Sequence, residues 1–201
     1  MKSKMDNVRL ALEMGYKISL LTNYFSAISN QQISEERIQR TIDYVIKEIE
    51  SLAIYYKALF NEKMPKYQPI ECQDDIVIVM TKIYNRIETM IHVYYYGAVE
   101  SAFNLGGILS LTEMAPPAEE YMGAVIKKIK EWMADIGLKP KKLRDVIESL
   151  GSSDDEERAK ARQSILEHIL RKKNNSLNGM IKDLELEIGI PSGIKVVKRW
   201  K

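Results

Sequence analysis

The chain has 201 residues, of which 45% are hydrophobic and 29% charged, and its formal net charge is +2. This composition is typical of a globular protein and excludes global disorder. So small a net charge does not by itself predict a nucleic-acid or anionic-membrane partner.

The first two predicted helices carry apolar residues at helical spacing. The first runs from about Asp6 to Ile28, and a polar break at residues 30–32 follows it. Ser34 is a good N-cap for the second. Apolar residues there recur at alternating intervals of four and three, which predicts packing along the whole helix. These residues are Ile38, Ile42, Val45, Ile49, Leu52, Tyr56 and Leu59.

The third predicted helix is the longest, from Asp74 to Leu109. At 100° per residue its apolar side chains, which include Tyr94, fill an arc of roughly 160°. The opposite arc is polar, so the helix has one face for the core and one for solvent or a partner. The opposite arc holds Lys82, Asn85, Thr89, His92, Tyr96 and Glu100.

The elements become shorter after the third helix. A fourth helix begins at Pro116 or Pro117 and ends at Gly137, because proline suits a first helical turn and glycine a stop. Residues 141–150 form about three turns. The S-x-x-E pattern at 153–156 is typical of a capping box that opens a helix reaching about Arg171. A last short helix spans 176–187, and a basic tail follows from residue 194.

This order of elements predicts an all-α protein. We expect an elongated bundle of about four long antiparallel helices in residues 1–137 and a smaller, basic C-terminal helical region in residues 138–201. Helices of these lengths favour self-association or a place in a larger assembly.

The polar arc of the third helix is the first candidate site. Tyrosine suits half-wet contacts, and three consecutive tyrosines on a helix cannot all face one core. The arc therefore predicts a homo-oligomer or protein-partner interface, although ordinary boundary residues have the same pattern. The predicted interface residues are Asn85, Thr89, His92, Tyr95, Tyr96 and Glu100.

The C-terminal third is the second candidate site, because residues 139–201 carry 15 Lys and Arg against 10 Asp and Glu. Basic residues around an aromatic ring suit phosphate contact and base stacking in DNA or RNA. The alternative is a solvated face whose field nearby acidic residues neutralise, and the cluster at Arg158–Arg162 has such neighbours. The candidate contacts are Lys139, Lys141, Lys142, Arg144, Arg171, Lys172, Lys173, Lys195, Lys198, Arg199, Trp200 and Lys201.

A third hypothesis rests on the spacing of Arg86 and His92. It resembles the R-x(4–6)-H motif of the HEPN class of metal-independent ribonucleases, which are helical bundles. The resemblance covers these two residues and a generic helical bundle, and Ile87 departs from the polar residue that often follows the arginine. It implies RNA cleavage by Arg86 and His92. The alternative is a surface His92 paired with Glu88 one turn earlier.

Other chemistry has little support in the sequence. The two histidines and the single Cys72 do not form a metal-binding pattern, so we expect no metal and no cofactor. The lone cysteine and the lack of a signal peptide or a long apolar run favour a cytoplasmic protein without a membrane span. The preferred interpretation is a non-enzymatic interaction module, with nucleic-acid binding and the ribonuclease as alternatives.

Overall fold

The computed structural model describes residues 4–28, 35–114, 117–139 and 143–170. Within these ranges the chain forms α-helices and one short 3-10 helix without a β-strand, so the all-α expectation is confirmed. The α-helices are α1 (Lys4–Ile28), α2 (Glu35–Phe60), α3 (Gln73–Tyr94), α4 (Ala98–Met114), α5 (Glu119–Asp135), α6 (Arg144–Glu148) and α7 (Asp155–Leu170), and the 3-10 helix is Ser149–Gly151.

The centre of the fold is the crossing of α1 and α4. A Cβ atom placed on Gly15 would lie less than 3.0 Å from the carbonyl oxygen of Phe103. One placed on Gly106 would lie as close to the carbonyl oxygen of Leu12. Glycine at both positions therefore lets the two backbones touch directly, as small residues do at close helix crossings.

The two crossing helices are buried on most of their surface. In α1 every residue from Met14 to Leu21 is buried, and in α4 most residues from Ala98 to Thr112 are buried. Helices buried on nearly every side lie at the centre of a core rather than at its edge. Around this pair, α2 and α3 contact α1, and α3, α5 and α7 contact α4.

Helix α2 buries the stripe that its spacing predicts. Ile42, Val45, Leu52, Tyr56 and Leu59 are buried, while the remaining two positions of the stripe are half-buried against the core. Lys17 of α1 is also buried there, where it pairs with Glu48 and donates to Ser51 of α2. The prediction that this helix packs along its length is confirmed.

The loop 61–72 returns the chain along α3. Glu62 contacts Arg86 near the end of α3, Gln68 accepts from Lys82 in its middle, and Glu71 donates to Asp75 at its start. The C-terminal ends of α2 and α3 consequently lie together, and this pair is not an antiparallel hairpin.

The expected single helix from Asp74 to Leu109 is wrong. Helix α3 ends at Tyr94, and α4 begins at Ala98. Tyr95 has extended backbone angles (φ −135°, ψ 120°), and Gly97 has a φ of +64°, in the left-handed region that favours glycine. The helical pattern continues through the break because both helices bury apolar residues, so periodicity did not reveal the turn.

Two consecutive glycines, Gly106 and Gly107, lie inside α4. Both face α1, and packing against this partner helix outweighs the low helix propensity of glycine.

Two helix starts are capped by aspartate. The carboxylate of Asp75 accepts from the backbone N–H of Cys72 at 3.1 Å and from its thiol at 3.2 Å, which closes a capping box at α3. At α7 the carboxylate of Asp154 accepts from the N–H groups of Glu156 and Glu157. The N-cap of α7 is thus Asp154 rather than the expected Ser153, and α5 begins at Glu119, after the two expected prolines.

Two buried arginines of α7 hold the C-terminal end of α4. Arg158, only 1% exposed, donates to the carbonyl oxygens of Thr112 and Ser152 and pairs with Asp155. Arg162 pairs with Glu113 of α4. The bond from Arg158 to Thr112 satisfies a carbonyl at the C-terminal end of α4, where the helix carries partial negative charge. The two arginines thus tie α7 to the end of α4. These bonds join residues on both sides of the domain boundary predicted at residue 138.

Several predicted features lie outside the described residues. They are the N-cap Ser34, the helix at 176–187 and the basic tail from residue 194. In the part of the chain that is described, none of the helices combines the length and apolar character needed to cross a membrane.

The helix crossing predicts opposite effects for two glycine substitutions. Gly106→Ala places a methyl group against the Leu12 backbone, so we expect it to lower the free energy of unfolding by about 1–3 kcal/mol. Gly123 of α5 has open space around it, so Gly123→Ala should stabilise by about 0.5–1 kcal/mol. Urea denaturation measures both, and equal effects would contradict the close crossing.

The buried arginine pair predicts a second contrast. Arg162→Ala leaves the half-buried Glu113 without its cation, which should cost about 3–5 kcal/mol. Lys160→Ala removes an exposed pair with Glu156 and should cost less than about 1 kcal/mol. Chemical denaturation of both variants is the measurement, and a small loss in Arg162→Ala would argue against a structural role.

Candidate interaction surface at the corner between α3 and α4

Tyr95 fixes the geometry of the corner. Its hydroxyl donates to the carbonyl oxygen of Leu59 at 2.6 Å, and its ring lies 5.9 Å from that of Phe60. Burial raises the pKa of its hydroxyl, so the hydroxyl stays protonated to a higher pH than an exposed tyrosine. The side chain therefore anchors the corner to the C-terminal end of α2.

The neighbours of Tyr95 are exposed. Val93, Tyr94 and Tyr96 have relative exposures of 54%, 65% and 77%. We call these three residues the corner cluster. Exposed large apolar residues are ordinary when scattered, but a contiguous group is typical of a contact surface. Tyrosine is also enriched at interfaces, because its ring and hydroxyl suit a half-wet contact.

An ion-pair geometry spans the corner. His92 Nδ1 of α3 lies 3.1 Å from a carboxylate oxygen of Glu100 in α4. The expected partner was Glu88, which instead accepts from the hydroxyl of Tyr84. Folding at Gly97 explains the difference, because it brings the start of α4 back beside the end of α3.

Arg86 contacts a different group of residues. Its Nε donates to the hydroxyl of Tyr56 at 3.2 Å, and its guanidinium lies 3.5 Å from the carboxylate of Glu62. The Tyr56 hydroxyl in turn donates to Glu62 at 3.1 Å. Arg86 therefore bridges α2 and α3, whereas His92 bridges α3 and α4. In the described part of the chain, the partners of Arg86 are Tyr56 and Glu62, and the partner of His92 is Glu100.

A groove runs along the one uncovered stripe of α4. The stripe is Glu100, Asn104, Gly107 and Leu111, at helical spacing, and none of these residues is buried. Two adjoining clefts of about 410 and 330 Å³ lie over it and share Phe103 and Asn104. We call them together the α4 groove. Its walls come from α1, α3 and α5, including Ser19, Thr22, Asn23, Tyr84, Glu88, Thr89, His92 and Trp132.

The predicted interface residues are divided by this geometry. Asn85 and Tyr96 are exposed, and Thr89, His92 and Glu100 line the α4 groove. Tyr95 is directed inward instead. Sequence reasoning placed Tyr94 in the core, yet it is exposed, because α3 ends there and none of the described helices covers its side. The sequence did not predict that Val93 and Tyr94 lie on the surface, because that depends on where α3 ends.

The predicted nucleic-acid contacts are described only in part. Lys139 is exposed, and Arg144 is exposed but donates to Glu148 at 3.0 Å. Arg158 and Arg162, from the basic clusters of the sequence, are buried and bonded within the fold. The other candidate contacts lie outside the described ranges: Lys141, Lys142, Arg171, Lys172, Lys173, Lys195, Lys198, Arg199, Trp200 and Lys201.

No protein-family model matches this chain, and neither the curated proteins nor the solved structures include one that is significantly similar to it. In the residues that the structure describes, no group of three or more His, Cys, Asp and Glu side chains is placed to hold a metal ion.

The anchor at Tyr95 predicts a difference between two neighbouring tyrosines. Tyr95→Phe removes the hydrogen bond to Leu59 and should lower the free energy of unfolding by about 1 kcal/mol. Tyr96→Phe alters an exposed hydroxyl and should stay within about 0.5 kcal/mol of the wild type. Urea denaturation compares them, and equal losses would show that the hydroxyl does not anchor the corner.

Proposed function

We propose that this protein is a non-enzymatic helical interaction module that self-associates through the corner cluster. The observation that supports the proposal is the exposure of Val93, Tyr94 and Tyr96 within four consecutive residues. Their burial between two copies would remove apolar area from water, which is the main driving force for association.

The rigidity of the corner supports the same proposal. The side chain of Tyr95 is held by its hydrogen bond to Leu59 and its contact with Phe60. An interface presented on an anchored turn loses little conformational entropy when it binds. Both flanking helices also contribute to the fold's core, so the cluster is presented on a fixed support.

Nucleic-acid binding and ribonuclease activity remain alternative hypotheses. The basic tail that would contact phosphate lies beyond the described residues. Arg86 and His92 bond to different partners within the chain, so none of these bonds brings the two side chains to one site. Neither alternative has an observation as direct as the exposed tyrosines.

Sedimentation equilibrium over a wide concentration range tests the proposal. The full chain should form a concentration-dependent oligomer. The double variant Tyr94→Ser, Tyr96→Ser should weaken association at least about tenfold, equivalent to about 1.4 kcal/mol, because buried tyrosines are frequent hot spots. Circular dichroism should show an unchanged helical content, since both side chains are exposed.

Tyr121→Ser is the matched control. Tyr121 is 61% exposed and lies near the start of α5, which follows the other end of α4. This variant should associate like the wild type. A wild-type chain that stays monomeric at every concentration, or an equal loss in the control, would reject the proposal.

A further inference from the structure

The α4 groove has an excess of negative charge. Among the described residues, the formally charged ones that line it are Glu88 and Glu100, and His92 lies beside Glu100. None of the described Lys and Arg residues lines either cleft. A groove whose charged lining groups are carboxylates attracts cationic ligands.

The groove also has apolar surface. Phe103 lies where the two clefts join, and Leu111 and Trp132 line the larger one. An occupant that fits both properties has basic and large apolar side chains close together. Such a segment would pair its cations with the carboxylates and bury its apolar groups on the floor.

Residues 194–201, outside the described part of the chain, combine both kinds of side chain. They read Ile-Lys-Val-Val-Lys-Arg-Trp-Lys, with four cations, two valines, an isoleucine and a tryptophan. Of the shorter ranges outside the described part, 1–3 has one lysine, 29–34 and 115–116 have no charged residue, and 140–142 has two lysines without a large apolar residue. The preceding stretch 171–193 includes acidic residues among its basic ones.

The intervening chain is long enough for this segment to reach the groove. Residues 171–193 separate it from the end of α7. With the helix predicted at 176–187 and the other 11 residues extended, this stretch can span up to about 54 Å. Helix α4, with 17 residues, is only about 26 Å long. Attachment in the same chain also makes the docking intramolecular, so a weak contact suffices.

We propose that residues 194–201 dock in the α4 groove of their own chain. Lys195, Lys198 and Arg199 supply the cations for Glu88 and Glu100, and the apolar side chains cover Leu111 and Trp132. This proposal does not depend on self-association through the corner cluster.

Disulfide trapping in the full chain tests the docking. In a Cys72→Ser background, Thr89→Cys places a thiol in the groove, and Val197→Cys places one in the segment. Mild oxidation should form an intrachain disulfide between them, detected by intact mass and peptide mapping. The matched control is Thr81→Cys with Val197→Cys, because Thr81 is an exposed threonine of the same helix that lines neither cleft.

We expect the disulfide to form at least tenfold faster with Thr89→Cys than with Thr81→Cys. Similar rates, or a disulfide between two chains in place of the intrachain one, would overturn the proposal. Disulfide formation within one chain tests the docking, and sedimentation tests self-association. Either proposal can therefore be rejected without the other.

Charge reversal provides the second test. Glu88→Lys with Glu100→Lys should slow trapping several-fold, and adding Lys195→Glu with Lys198→Glu should restore it. Glu119→Lys with Glu120→Lys reverses two exposed acidic residues of α5 as the control and should leave the rate unchanged. If charge reversal in the groove leaves the rate of disulfide formation unchanged, in variants with wild-type helical content, then charge does not direct the segment to the groove.

Discussion

The direct contact of the α1 and α4 backbones is the constraint on which the other helices depend. Gly15 and Gly106 bring the helices so close that a methyl group on either would overlap a backbone carbonyl. Because the crossing is this tight, α1 and α4 form a central pair that the remaining helices can only surround. Its position also fixes which stripe of α4 stays uncovered, and thereby the location of the groove.

The corner after α3 follows from the same arrangement. A helix continuing straight from Asp74 to Leu109 would have carried α4 away from α1, and the turn at Gly97 instead folds it back. The turn is stabilised from outside, since the hydroxyl of Tyr95 bonds to the end of α2. One consequence is local: Tyr94 and Tyr96 on either side of Tyr95 are covered by none of the described helices.

Buried charges complete the packing at two places around α1. Lys17 pairs with Glu48 where α1 meets α2, and Arg162 pairs with Glu113 where α7 meets α4. Burial and the Glu113 carboxylate raise the pKa of Tyr16, so its hydroxyl stays neutral. Such pairs add little net stability compared with apolar contacts, but an alternative packing would leave a charge buried without its partner.

The sequence alone determined the helical class, the face of α2 that is buried and the stop at Gly137, because each depends on neighbouring residues. Spacing also located the polar side of α3. Only the tertiary structure decided that the third helix breaks at Gly97, that Tyr95 points inward and that Arg158 is buried. These outcomes depend on contacts with distant residues, such as Leu59 and Thr112, and a periodic pattern holds no information about such partners.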